Sequence, residues 1–444
     1  MHITFILPCV GRKPGEPYVR TWSMEPLSIA VLSALTPPEI ERRFFDDRLE
    51  TIDYDAPTDL VALSVETYTA KRAYQIAARY RAKGLPVVMG GFHPTLAPED
   101  AAVHADAIVL GQAEDTWPRL LVDFARGQMQ SRYAQEGKPS LAARQPDRSI
   151  YADKTYQPIA LVETGRGCKF NCEFCSITKF YEHTHTQRPV EDVVAEIAAL
   201  DRRYVFFTDD NIGVNRERFR ELLTALIPLR ISWAGQVSID IAGDDEILAL
   251  MRRSGCVCVL IGFESMNPAV LARMNKAVNA RTTVYEAAAA AFSRHGIGIY
   301  GTFVFGYDGD DHQSFEQTAR FAKRNGFFFA AFNHLVPFPG TRLYERLQDE
   351  GRLIHDKWWL SDDYHFGDVA FRVQGMTEKE LADNCYRYRQ GFYGPVSILR
   401  RLCNWRSNCR SLRRLFLFVS LNWLSRNDVA GRQELPLGIP GDSE

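Results

Sequence analysis

The chain has 444 residues, 46% of them hydrophobic, enough for a sizeable core and more than one domain. A formal net charge of −2 excludes a chain-wide basic surface of the kind that binds nucleic acid. Nine cysteines, three clustered and the rest scattered, fit reduced thiols in a cytoplasmic protein better than a disulfide framework.

The amino terminus, Met1-His-Ile-Thr-Phe-Ile-Leu, lacks a basic region, a long apolar stretch and a cleavage site, so it reads as a strand and not as a signal peptide. Across the whole chain no apolar run is long enough to span a bilayer. His2–Pro8, Phe44–Asp47, Leu60–Ser64, Val87–Gly91 and Ala107–Gly111 are apolar runs of strand length. Met24–Leu35 and Thr69–Arg81 carry helical periodicity between them. Strands alternating with helices predict a parallel sheet covered on both faces, with ligands bound beyond the carboxyl ends of the strands. Those ends carry Ser64-Val-Glu66, Gly90-Gly91-Phe-His93 and Gly111-Gln-Ala-Glu114. The glycines either make tight turns or let backbone approach a bulky ligand. The division expected is 1–125 for this first domain and 126–155 for a connection, because Gly127, Gly137, Pro139 and Pro146 break the periodicity.

Ile159–Thr164 then reads as a strand running into Gly-Arg-Gly-Cys168-Lys-Phe-Asn-Cys172-Glu-Phe-Cys175. Thiolates at C-x3-C-x2-C spacing can turn onto one iron–sulfur cluster, and three of them leave one iron of a cubane open. A structural zinc ion would need a fourth Cys or His close by, and none follows. Five further strands are expected at Tyr204–Thr208, Ile231–Ile239, Val257–Ser265, Gly298–Gly306 and Phe328–Pro337. Six strands alternating with helices predict a partial (β/α)6 barrel over 156–342, with functional groups at the carboxyl ends of its strands. Asp209, Asp210, Gln236, Ser238 and Glu264 fall at such ends. Cys256 and Cys258 alternate in a strand and are expected buried on one face.

The cysteine motif, with Phe174 just before its last cysteine, resembles the radical S-adenosylmethionine (SAM) family. The resemblance implies a [4Fe–4S] cluster on Cys168, Cys172 and Cys175 and SAM chelated to the open iron, with Phe174 against its adenine. It also implies reductive cleavage of SAM to a 5′-deoxyadenosyl radical, fed by a flavodoxin or ferredoxin-type donor. Gln236, Ser238 or Glu264 would then meet the ribose, and Asp209 or Asp210 the amino group, although Asp-Asp-Asn stands where Gly-Gly-Glu is commoner. The first domain resembles the cobalamin-binding domain that precedes many radical SAM domains, through Val-Val-Met-Gly-Gly-Phe-His-Pro-Thr and the block around Gly111. Gln112 and Ala113 depart from its usual G-E-G-E-x-T. By that resemblance Ser64, Glu66, Gly90, Gly91, His93, Gly111 and Glu114 surround cobalamin. The D-x-H-x-x-G motif is absent, so no histidine, His93 included, is expected on cobalt.

Together the two halves resemble cobalamin-dependent radical SAM enzymes, over about 1–341. The resemblance implies methylation of an unactivated carbon of a small-molecule or lipid-like substrate. A cyclase or oxidase without methyl transfer is the alternative, and a cobalamin sensor is a more distant one. A methylthiotransferase would want three more cluster cysteines in the first domain, where only Cys9 stands. The last region, 343–444, is expected to be helical. Its stretch 391–427 holds seven arginines and no acid. Two placements fit: a helix packed by its apolar face on the barrel, or a basic helix in peripheral contact with a membrane.

Overall fold

Leu60, Val61, Ala62 and Leu63 are all buried, as are Val87, Val88 and Met89. Strands of this kind bury both faces and belong in the middle of a parallel sheet. The computed structural model describes residues 1–142, 145–276, 279 and 285–442. It places β1 (His2–Leu7), β2 (Glu41–Asp46), β3 (Leu60–Ser64), β4 (Val87–Gly90), β5 (Ala107–Leu110) and β6 (Arg132–Ala134) in one sheet of order β2-β1-β3-β4-β5-β6. Every neighbouring pair is parallel. β2 starts three residues before the expected Phe44, with Glu41-Arg-Arg. It is an edge strand, where charged residues guard the open side. The helix after β1 is Leu27–Leu35, starting directly after Pro26, and the next is Ala70–Ala82. β6 lies in the stretch expected as a connection. Tyr133, buried at its centre, hydrogen-bonds Asp123, so a segment broken by glycine and proline still completes the sheet.

A second parallel sheet follows in sequential order: β7 (Ile159–Val162), β8 (Tyr204–Phe207), β9 (Ser232–Gln236), β10 (Cys256–Glu264), β11 (Gly298–Phe305) and β12 (Phe329–His334). Its helix-side core gathers Val205, Phe207, Trp233, Val259, Ile261, Phe263 and Phe303 with the covering helices. The pairing of β9 with β10 shifts register after Trp233. That irregularity turns Cys256 into the helix-side core and Cys258 to the opposite face, against Phe328 and Phe418. The two thiols are buried as expected but do not share a face.

The two sheets are joined by ion pairs. Arg148 bridges Glu25 (3.0 Å) and Glu196 (2.9 Å), and Arg202 also reaches Glu25. The region after the barrel is helical in part: Arg342–Asp349, Glu378–Phe392, Pro395–Arg401 and Leu412–Arg432. It also straps the first sheet. Trp358 donates to Pro337 O and Trp359 to Asp100, both at 2.9 Å, and both indoles join the first sheet's core. The chain end returns there as well, with Leu437 buried in that core and Gly438 bridged to Gly11.

Candidate functional site

Residues at the carboxyl ends of both sheets line one cleft, and the cysteine loop begins at its edge. Gly167 and Cys168 follow the two-residue strand Gly165–Arg166, and Cys175 precedes the helix Ser176–Tyr181. The loop is held from several sides. Glu173 accepts from Arg346 Nε (2.7 Å) and Tyr307 OH (3.1 Å), and Asn275 donates to Asn171 O (2.8 Å). Gly167 N donates to Asp210 (2.8 Å). Phe174 meets Tyr307 edge-on, with ring centroids 6.4 Å apart.

Cys168, Cys172 and Cys175 line one cavity of about 150 Å³, together with Phe174, Asp210, Gln236, Ser238 and Glu264. Burial pushes all three thiols up, Cys172 to about 11, and the nearby Lys276 ammonium opposes this. No three His, Cys, Asp or Glu side chains among the described residues converge on a single ion. The thiolates of a cubane bind separate irons, so they need no such convergence. Glu264 is buried, holds a left-handed φ of +62° and ion-pairs with Lys276. Asn279 spends its amide N–H groups on Gly262 O, Phe263 O and Tyr285 OH. Its buried Oδ1 has no protein partner, although the residue lines the cavity. A site offering three thiols, a lysine, two carboxyl groups and an unmatched acceptor has the chemistry to hold a cluster and to meet a polar, zwitterionic nucleoside.

A second cavity, of about 460 Å³, opens at the ends of β3, β4 and β5. Ser64, Glu66, Gly90, Gly91, Gly111 and Glu114 line it. Gly91 is required by the backbone: its φ is +109°, and a Cβ there would lie 2.8 Å from Val65 O. The opposite wall comes from the second domain, through the strand-end residues Glu163, Thr208 and Asp210, the short strand Gly165–Arg166, and Ile177 and Tyr181 of the helix that follows the cysteine loop. Arg166 pairs with Glu163 (2.7 Å) and Glu114 (2.5 Å) and donates to Gln112 (3.0 Å), tying the two halves one residue before Gly167. Ile177 and Asp210 line both cavities.

Two candidates stand elsewhere. His93 is fully buried, hydrogen-bonded to Tyr74 (2.9 Å) and Asp100 (3.2 Å), and is not in the cavity wall. Its place after Gly-Gly turns its ring inward, beneath the cleft. Asp209 accepts from Thr164 N (2.9 Å) and Thr164 Oγ1 (2.6 Å) and lines neither cavity. Burial pushes it up to about 7, whereas Asp210, also raised by burial, reaches about 6. Consecutive residues at a strand end point to opposite sides, so only one of the two aspartates can face the cavity. Asn211, Lys276 and Asn279 line the cluster-side cavity without having been singled out from sequence. Asn211 was legible from its strand end beside Asp210, but nothing in the sequence brings Lys276 or Asn279 to the cysteines.

Residues 162–322 match the Radical SAM superfamily, and residues 34–121 match the B12 binding domain. The bacteriochlorophyllide d C-12(1)-methyltransferase of Chlorobaculum tepidum is 33% identical over 398 residues, 86% of each chain. This chain is a cobalamin-dependent radical SAM enzyme. Its cofactors are therefore a [4Fe–4S] cluster, SAM and cobalamin. The anaerobic magnesium-protoporphyrin IX monomethyl ester cyclase of Rubrivivax gelatinosus is 25% identical, over 74% of this chain and 64% of that one. The structure of the cobalamin-dependent SAM radical enzyme OxsB with aqua-cobalamin bound shares the fold, with a TM-score of 0.69 at 14% identity, over 96% of this chain and 72% of that one.

Proposed function

We propose that this enzyme methylates an unactivated carbon of a small, largely apolar organic molecule. The observation that carries the reading is the common wall: Asp210 and Ile177 line both the cavity of the three cysteines and the glycine-rich cleft of the first domain. The cluster with SAM supplies hydrogen abstraction, and cobalamin supplies the methyl group. Neither chemistry alone methylates an unactivated sp3 carbon, so the two sites must meet.

The chain's own residues then have distinct tasks. Cys168, Cys172 and Cys175 hold the cluster and leave one iron without a protein ligand. Gln236, Ser238 and Glu264, with Asn211 and Asn279, offer donors and acceptors for the ribose and amino-acid parts of SAM. Lys276 balances the carboxylates gathered there. Gly90, Gly91 and Gly111 would leave room in the cleft for cobalamin, and His93, hydrogen-bonded to Tyr74 and Asp100, is not part of its wall. Arg166 holds the two walls in register, which the transfer distance demands. A third cavity of about 330 Å³ shares Phe174 with the cluster site and is lined by Tyr68, Phe338, Phe366 and Tyr386. Its aromatic walls suit a flat apolar substrate. A flavodoxin or ferredoxin-type protein is the proposed electron donor.

The test is anaerobic reconstitution with cluster, hydroxocobalamin, SAM and reductant, using bacteriochlorophyllide d as first substrate because the 33% identical relative is named for it. The product should be heavier by one CH2, a methyl group having replaced a hydrogen, with 5′-deoxyadenosine and S-adenosylhomocysteine both released. The cyclase-named relative supports a second reading, ring formation without methyl transfer. Conversion with 5′-deoxyadenosine but no S-adenosylhomocysteine would favour it.

A further inference from the structure

The helix Leu412–Arg432 is turned against the usual order of hydrophobic burial. Toward the protein it presents Arg414, Phe418, Asn422, Ser425 and Val429. Arg414 Nε donates to Ser407 O (2.6 Å), and Asn422 accepts from Arg401 (2.9 Å) while donating to Phe418 O (2.8 Å). Leu412, Phe416, Val419 and Trp423 recur at i, i+4, i+7 and i+11 and so form one stripe. They are 86%, 70%, 40% and 52% exposed. A helix on a water-exposed surface does the reverse, turning such a stripe to the core. Among the described residues eleven large hydrophobic side chains are exposed, and seven of them fall between Val396 and Trp423. Such a concentration marks a surface that is covered in use.

Charge identifies the cover. Arg400, Arg406, Arg410, Arg413 and Arg426 are exposed, and 391–427 contains no acidic residue. The next acid, Asp428, is paired with Arg432 at 2.9 Å. Arg406 lies over Trp405 (5.7 Å) and Arg426 over Trp423 (5.2 Å), an aromatic–cation pairing suited to a polar–apolar boundary. Docking against a second copy would press these arginines on their own images without a counter-charge. No helix of the described residues is long and apolar enough to cross a membrane. We propose that this face docks peripherally on an anionic lipid bilayer, with the apolar stripe in the interface and the arginines on the headgroups. The helix packs near the amino ends of β10 and β12, through Arg414 to Val257 O and Asn422 to Phe328 O. The cofactor cavities open at the opposite ends and stay clear of the surface.

The test is flotation of the reconstituted full chain with vesicles of phosphatidylcholine alone or mixed with phosphatidylglycerol. The chain should float with the anionic vesicles, weakly or not at all with the neutral ones, and less as salt is raised. Phe416→Ser with Trp423→Ser, and separately Arg406→Glu with Arg426→Glu, should each lower the partition coefficient about tenfold or more. Iron, cobalamin and thermal midpoint should be unchanged in both variants. Absence of binding to anionic vesicles, or variants that bind as tightly as the parent, would overturn the proposal. A dimer in sedimentation that Phe416→Ser with Trp423→Ser dissolves, without vesicle binding, would assign the face to a second copy instead.

Discussion

The cysteine loop draws its three thiols from eight consecutive residues, Cys168 to Cys175, whereas the larger cleft draws its walls from strand ends, loops and helices scattered between Leu27 and Asp210. In the proposed reading the first site works through side chains that would themselves be ligands. The second works through the absence of side chains at Gly90, Gly91 and Gly111, and through a wall lent by the other sheet. Side-chain ligation is local and survives rearrangement elsewhere. A cleft made of backbone and borrowed walls depends on how two domains sit against each other. Arg166 is where these two modes meet, since it closes the cleft and starts the cluster loop.

The comparison can be broken in order of expected effect. Cys172→Ala should abolish the cluster and bring 5′-deoxyadenosine formation below detection, measured by iron and sulfide analysis and chromatography, while cobalamin uptake stays intact. Ser64→Trp, at the end of β3 in the cleft wall, should do the converse: normal iron content and loss of cobalamin by visible absorbance. If either variant empties both sites, the two are not separable in the way argued. Arg166→Ala should weaken both at once. Removing the guanidinium that Glu114 and the partly exposed Glu163 share should cost about 2 kcal/mol in urea unfolding. Gly91→Ala forces a Cβ toward Val65 O at an unfavourable φ and should destabilise by about 1–3 kcal/mol.

How much of this was legible in the sequence follows from the same distinction. The cysteine motif, both parallel sheets and the glycine-rich strand ends could be read because each is local, in spacing, run length or turn chemistry. β6 was hidden because three residues flanked by breakers carry too little pattern. Lys276 and Asn279 were hidden because only the folded chain brings them from beyond β10 to the cysteines. Asp209 and His93 were misplaced for one reason: a sequence shows that a polar residue ends a strand, not which way it points. The last helix shows the limit of pattern most plainly. Its apolar stripe was readable, but the side that met the barrel was set by Arg414 and Asn422, whose hydrogen bonds to backbone and Arg401 outweighed the burial of Phe416 and Trp423.

The smallest expected effect concerns Asp209. Its folded carboxyl is raised by burial from 3.8 to about 7, so the folded state favours its protonated form. That contribution to stability is present at low pH and is lost as pH rises from about 4 toward 7. Asp209→Asn should flatten this part of the pH–stability curve and leave SAM binding nearly unchanged. A strong loss of SAM affinity would return Asp209 to the cofactor site.

The central claim, that the two cavities serve one transfer across the wall of Asp210 and Ile177, is tested most directly by tracing the methyl group. Reconstituted enzyme, turning over an accepted substrate with SAM deuterated in its methyl group, should yield a product carrying that label. 5′-Deoxyadenosine and S-adenosylhomocysteine should each be released in amounts matching the product. A converted substrate with no label and no S-adenosylhomocysteine would contradict the account.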